Sequence, residues 1–155
     1  MKLKVMPITI EDASIKHLDK LYEIEMACFK KEAFTKQQIA QLLQNNNTIS
    51  LVAKENSKII GFIIGMISIE DNTIIGHILT IDVSPSYRRK GVGIKLLQEV
   101  EKIFKNKQVM VCRLEVREDN IAALNLYCKL GYRKVGKLEH YYVDAHGILL
   151  EKLLL

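Results

Sequence analysis

Apolar residues recur along the chain with two different periods, and the switches between them mark the elements. "KLKVMPITI" (2–10) reads as a first strand. "EDAS" (11–14) supplies caps for a helix whose apolar positions, Ile15, Leu18, Leu21, Tyr22 and Met26, are near helical spacing. Thr35 is placed to cap a second, short helix over "KQQIAQLLQ". "TISLVAKE", "IIGFIIGMISIE" and "TIIGHILTIDV" read as three successive strands, separated by the turn signals "NSK" and "DN". A longer helix follows, with Val92, Leu96, Leu97, Val100, Ile103 and Phe104 on one face. "VMVCRLEV" is β-branched and apolar, the pattern of a buried strand. "DNIAALNLYCKLGY" reads as a helix with Leu124, Tyr127 and Leu130 in register and Gly131 as its C-cap. "RKVGKLEHYYV" and "GILLEKLLL" are two final strands joined around "DAHG". The order β-α-α-β-β-β-α-β-α-β-β predicts one α/β domain over residues 1–155. Its central mixed, mostly antiparallel sheet has about seven strands, flanked by about four helices.

Charge and composition narrow the classes. Lys and Arg exceed Asp and Glu by 23 − 18 = 5, a mild basic excess that suits a polyanionic cofactor, nucleic acid or an acidic surface equally. Aromatics are few and Trp is absent, which disfavours base stacking and hence nucleic acid. Cys28, Cys112 and Cys128 form no C-x-x-C, so neither a disulfide framework nor a metal site is expected, and a reducing compartment fits. The N-terminus lacks a signal-peptide apolar core, and Ile59–Ile69 is too short to span a bilayer. A cytoplasmic protein without a membrane partner is the expectation.

One stretch concentrates the excess charge. "YRRKGVG" (87–93) sets three cations against two glycines at a strand-to-helix junction. Such a turn aims backbone N–H groups and a helix N-terminus into one concavity, an anion site; alone it reads equally as a solvated basic turn. It lacks the P-loop spacing and the third glycine of a Rossmann fingerprint.

About thirty residues on, "NIAALNLYCKLGY" completes a pair of motifs. With both in view the sequence resembles the GNAT superfamily of acetyl-CoA-dependent N-acetyltransferases. R-x-x-G-x-G resembles that family's coenzyme-A signature. Asn120, Ala123, Leu126, Tyr127, Gly131 and Tyr132 match its second signature, N-x-x-A-x-x-L-Y-x-x-x-G-Y. "HILTIDVSPSYRRKGVG", "LEVREDNIAALNLY" and "EHYYVD" are more narrowly similar to the RimI-like and archaeal protein N-terminal acetyltransferases, over roughly residues 59–145.

The resemblance implies roles. Arg88, Arg89, Lys90, Gly91, Val92, Gly93 and Ile94 would hold the pyrophosphate of acetyl-CoA. Backbone groups of Ile81, Asp82 and Val83 would pair with its pantetheine arm, and Asn120 would contact that arm. Tyr127 would be the general acid; by helical spacing alone it reads as a core aromatic. Glu115 would be the general base, twelve residues before Tyr127 (127 − 115 = 12) as in the RimI-like pattern. Strand alternation puts it on a face with Val111, Arg113 and Arg117, a setting that favours an ionised carboxylate and suits a structural ion pair too. His77 is the rival or partner base, or a strand histidine that only packs.

For the acceptor, Phe29, Glu32 and Phe34 before the second helix and Tyr141 and Tyr142 near the last turn are the candidate walls. "FKKEAFT" departs from the F-P-W-[ST] of bacterial RimI, and "YYVDAHGI" lacks the common G-E-D-A, so the preferred first residue is not legible. The implied acceptor is a protein N-terminus, with the ribosome or a ribosomal protein as candidate partner and a monomer or weak homodimer as the assembly. A small amine or polyamine is the alternative acceptor, disfavoured because neither "FKKEAF" nor "HYY" is strongly acidic. A non-catalytic acyl-CoA-binding module is the alternative of another class.

Overall fold

Two short turns set the register of the first half. Asn56–Ser57 and Asp71–Asn72 all have positive φ, between 48° and 70°. Asn and Asp tolerate the left-handed region, so each pair closes a two-residue hairpin whose twist matches its strands. In the computed structural model, which describes residues 7–155, these turns join β2 (Thr48–Glu55) to β3 (Lys58–Glu70) and β3 to β4 (Thr73–Val83). The remaining elements are β1 (Ile8–Asp12), α1 (Leu18–Phe29), α2 (Lys36–Gln44), α3 (Val92–Asn106), β5 (Val111–Arg117), α4 (Ile121–Lys129), β6 (Arg133–Tyr142) and β7 (Ala145–Leu153). The order is the predicted one. Residues 1–6, the front of the predicted first strand, lie outside the described residues. The strands form one seven-stranded mixed sheet in the order β1-β2-β3-β4-β5-β7-β6. No helix among the described residues is long and apolar enough to cross a membrane.

Local chemistry explains the helix ends. Thr35 caps α2: its Oγ1 accepts from Gln38 N at 3.1 Å, and Gln38 Oε1 accepts from Thr35 N at 2.8 Å, a reciprocal capping box. The start of α1 is later than its apolar pattern predicts. Ile15–His17 form a 3-10 turn, and His17 Nδ1 accepts from Ser14 N at 3.0 Å. At the end of α4, Gly131 has φ +98°. Tyr132 N donates to Tyr127 O at 3.0 Å and Gly131 N to Cys128 O at 3.1 Å, the paired bonds of a Schellman cap.

By its contacts the chain divides into two compact units, Met1–Met66 with Leu79–Lys102 and Ile67–Ile78 with Ile103–Leu155. The first packs Leu21 and Ile24 of α1, Ile39 of α2, Val52 of β2 and Phe62 and Ile64 of β3 into one buried cluster. In the second, Cys112, Leu114 and Val116 alternate inward along β5, as the strand pattern predicts. Buried Tyr132 donates from its hydroxyl to Cys112 Sγ at 3.2 Å. The Phe104 ring lies directly on Gly76, where a Cβ would come within 2.4 Å of it. That contact requires glycine in a strand otherwise rich in β-branched residues.

Candidate active site

The basic turn at 87–93 belongs to the first unit. After β4 the chain makes a 3-10 turn at Pro85–Tyr87 and enters α3 at Val92. Arg88, Arg89, Lys90 and Gly91 are exposed. Gly91 has φ +79°, and a Cβ built on it would meet nothing within 4 Å. Its glycine answers to backbone torsion, not to packing in the protein. A Cβ on Gly93 would stand 3.6 Å from Val83 and 3.8 Å from Ile81, ordinary contact. The turn thus leaves an open approach at the first turn of α3, where helix amides have no partner within the helix. Open glycines, helix amides and three adjacent cations are the donor set a pyrophosphate needs. The residues present therefore fit coenzyme A.

Within that turn Arg88 is partly engaged. Its Nε donates to Val83 O at 3.3 Å, and its guanidinium lies 3.5 Å from Cys28 Sγ. The Cys28 thiol donates to the same carbonyl at 3.4 Å, and burial pushes this thiol up. Asp82 is fully buried and packs its carbonyl against Gly61, where a Cβ would sit 2.6 Å away. Its carboxyl points to Thr80 and Glu25. Asp82 therefore serves the strand by its backbone. Of the residues expected to wall the acceptor, Phe29 ends α1 exposed, Phe34 packs against the core cluster, and Glu32 lies in the 3-10 turn between them.

The second unit carries the residues expected to act as acid and base, His77, Glu115 and Tyr127. β4 and β5 run parallel with His77 opposite Arg113. Glu115 lies two residues further along β5, on the same face as Arg113. His77 Nε2 stands 2.8 Å from both Oε1 and Oε2 of Glu115. Burial first, and then the nearby Glu115 carboxylate, push the Tyr141 phenol up. A register shift between Leu138 and Tyr142, with His140 at φ 53°, brings Tyr141 into place. There it packs on Gly147, where a Cβ would lie 3.1 Å from its own. Tyr142 stacks edge-on against Tyr141, with ring centroids 5.0 Å apart.

Arg113 and Arg117 share the face of Glu115 as the alternation predicts, but their side chains pair elsewhere. Arg113 Nε donates to Glu151 at 2.7 Å, and its Nη1 reaches Glu70 at 3.2 Å. Arg117 pairs with Asp119 at 3.0 Å and with Asp144 at 2.9 Å. Both arginines thus tie β5 to other carboxylates, while Glu115 meets His77 and Tyr141.

Two residues on and near α4 complete the set. Asn120 caps the helix, its Oδ1 accepting from Ala123 N at 3.1 Å. Tyr127 packs edge-on against Tyr132 at 5.9 Å, and burial pushes its phenol up to about 12. Its hydroxyl keeps its proton throughout the neutral range.

Glu25 was missed by sequence reading. Its signal is present: Leu18, Leu21, Glu25 and Cys28 are spaced 3, 4 and 3, so a carboxylate interrupts the inward stripe of α1.

The Acetyltransferase (GNAT) family profile matches residues 18–132. An N-alpha-acetyltransferase of Sulfurisphaera tokodaii is 40% identical over 79 residues, 48% of this chain and 46% of that protein. The chain thus spans about half the length of that curated relative. A putative ribosomal protein bS18-alanine N-acetyltransferase of Bacillus subtilis is 27% identical, covering 87% of both chains. The crystal structure of Ard1 from Thermoplasma volcanium superposes with a TM-score of 0.85 at 28% identity, covering 96% of this chain and 98% of that one. With the family profile matched over most of its length, its two motifs intact and the fold shared, this chain belongs to the GNAT acetyltransferase family.

Proposed function

We propose that this protein, as one acetyltransferase domain, transfers an acetyl group from acetyl-CoA to the N-terminal α-amine of a protein. Glu115, paired with His77 Nε2 at 2.8 Å and with the Tyr141 phenol close enough to feel its charge, is the observation that carries the reading. Acetyl-CoA supplies the activated acyl group as a thioester. Arg88–Lys90 and the backbone of Gly91–Ile94 bind its phosphates, Ile81–Val83 its pantetheine arm by strand-like pairing, and Asn120 the arm from α4.

The acceptor amine must lose a proton to attack. Glu115 takes that proton, directly or through one water, with His77 sharing the load. With Nε2–H donating to Glu115, the neutral ring presents Nδ1 as an acceptor. One N–C bond forms, the C–S bond breaks, and the sulfur leaves with the electron pair. Tyr127 stands ready to stabilise that sulfur. A phenol at about 12 is a weaker acid than a thiol near ~8.5, so Tyr127 acts mainly as a hydrogen-bond donor to the developing thiolate. Cys28 and Cys112 lie outside both motifs and Cys128 fills a variable position of the second, so neither motif specifies a nucleophilic cysteine, and attack is direct, without an acyl-enzyme. Phe29, Glu32, Phe34, Tyr141 and Tyr142 line the acceptor side.

The relatives of Sulfurisphaera tokodaii and Bacillus subtilis support a protein N-terminus, the latter a ribosomal protein. The test is release of free CoA thiol with peptides of one sequence differing at residue one, alongside spermidine. Turnover on free α-amines, absent when they are blocked by formylation, is expected. Turnover on spermidine alone overturns the protein-acceptor reading.

The tyrosine makes a second prediction. Tyr127→Phe lowers kcat, and the wild-type rate shows no alkaline fall from Tyr127 until the pH nears about 12. An alkaline limb with a midpoint near ~10, the ordinary tyrosine value, that vanishes in Tyr127→Phe contradicts the buried-donor role.

A further inference from the structure

Three buried polar side chains of the first unit have no part in the chemistry above. Glu25 of α1 is 1% exposed, Thr80 of β4 6% and Asp82 of β4 0%. Thr80 Oγ1 lies 3.0 Å from Glu25 Oε1 and 2.5 Å from Asp82 Oδ1. A hydroxyl has one hydrogen and can donate to only one of them. The other contact needs a hydrogen on the carboxyl itself. Burial, and then the adjoining Glu25 carboxylate, hold the Asp82 carboxyl well above the usual carboxylate range, against the opposing effects of Thr80 and Arg88. The proton therefore belongs on Asp82. Asp82 Oδ2 is buried without a donor. That oxygen is far less costly to bury in a neutral carboxyl than in a carboxylate.

With that proton in place the hydrogen bonds run one way. Asp82 donates to Thr80, Thr80 donates to Glu25 Oε1, and the Phe34 amide donates to Glu25 Oε2 at 2.9 Å. Phe34 directly precedes the Thr35 cap of α2, and Lys30, in the same connection, has φ 50°. The carboxylate on α1 thus captures an amide nine residues later and bends the connecting loop back on its own helix.

We infer that Asp82, Thr80 and Glu25 form a single-proton relay that fixes the loop between α1 and α2, which makes Glu25 and Asp82 positioning residues for the acceptor amine. The positioning half rests on the reading that this loop borders the acceptor. The relay also joins that loop to the strand proposed to pair with pantetheine, so one buried proton ties together the segments that receive the two substrates. The groups around Asp82 are Glu25 and Cys28 from α1, Thr80 from its own strand and Arg88 from the turn that follows. As pH rises from the usual aspartate value of 3.8 through the raised one, the folded chain holds a proton that the unfolded chain has lost. Stability therefore falls with rising pH across that window, and the relay opens.

Full-length wild type, Asp82→Asn, Glu25→Gln and Glu25→Ala test this by melting temperature against pH and by hydrogen exchange of the Phe34 amide. Asparagine donates to Thr80 at every pH, so Asp82→Asn loses the fall that wild type shows. Phe34 protection drops roughly tenfold or more in Glu25→Ala and is retained in Glu25→Gln, whose amide oxygen still accepts. KM for the best free-amine peptide rises in step in Glu25→Ala, while KM for acetyl-CoA does not change. An Asp82→Asn melting profile with the wild-type pH slope overturns the shared proton. Unchanged Phe34 protection in Glu25→Ala overturns the clamp, and Glu25→Met, which fills the space without an oxygen to accept, puts the same question if that variant does not fold. Melting and exchange need no turnover, so they succeed or fail separately from the acetyltransferase reading.

Discussion

Glu115→Gln lowers kcat by about 10²- to 10⁴-fold, the range for loss of a positioned acid–base group. The substitution keeps the size of the side chain and an oxygen that accepts from His77 Nε2, at 2.8 Å in the parent. What it removes is the capacity to take a proton. KM for acetyl-CoA therefore stays near the parent value, and so does the melting temperature. Neutralising a partly buried carboxylate that accepts from His77 loses the charge-assisted strength of that bond, about 1 kcal/mol at most after exchange with water. That is too little to unfold the domain. His77→Gln costs less than Glu115→Gln, because the histidine shares the proton and does not receive it first. The pair of variants measured side by side separates the roles. Full activity in Glu115→Gln with none in His77→Gln moves the base to histidine.

The elements of the fold were legible because each is written in local chemistry. Alternation along β5 names both faces correctly from seven residues. Thr35, Gly131 and the Asn–Ser and Asp–Asn turns state their geometry within four positions of themselves. Periodicity overran at Ile15, because an apolar residue at helical spacing does not reveal that His17 will accept from Ser14 and tighten the first turn to 3-10. Asn120 was legible as a motif residue, and its capping bond adds a structural duty that the motif does not state.

The site was legible residue by residue and much less so in its partnerships. Arg113 and Arg117 flank Glu115 on one strand face, and adjacency in sequence suggests that they serve it. Instead they reach Glu151, Glu70 and Asp144, which are 38, 43 and 27 residues away. Tyr141 reaches Glu115 because of a register shift in β6, and no spacing rule announces that shift. The buried relay was illegible for the same reason. Glu25 and Thr80 are 55 positions apart, and each alone reads as a polar residue that has strayed onto an apolar face.

Gly91→Val raises KM for acetyl-CoA by roughly ten- to hundred-fold and leaves KM for the acceptor peptide unchanged. The residue sits at φ +79° with nothing within 4 Å of the place a Cβ would occupy. No neighbour is displaced, so the cost comes from torsion and from lost access. A β-branched residue strains in the left-handed region by at least ~1–2 kcal/mol, and a turn relaxing out of that region re-aims the amides that open α3. At 1.4 kcal/mol per tenfold in binding, strain alone accounts for most of the expected shift. Gly91→Asn separates the two causes, because asparagine tolerates the left-handed region while still adding a side chain. If torsion dominates, Asn restores most of the affinity; if access dominates, Asn and Val are equally poor. A Gly91→Val protein that binds acetyl-CoA as the parent does removes the basic turn from the cofactor site. Its three cations then return to being a solvated surface. The separation of KM values matters as much as their size. The turn and the proposed acceptor segment Phe29–Phe34 are separate stretches of chain that meet through the strand ending at Val83 and through Arg88 beside Cys28, so a lesion at Gly91, which is in neither contact, leaves residue preference unchanged.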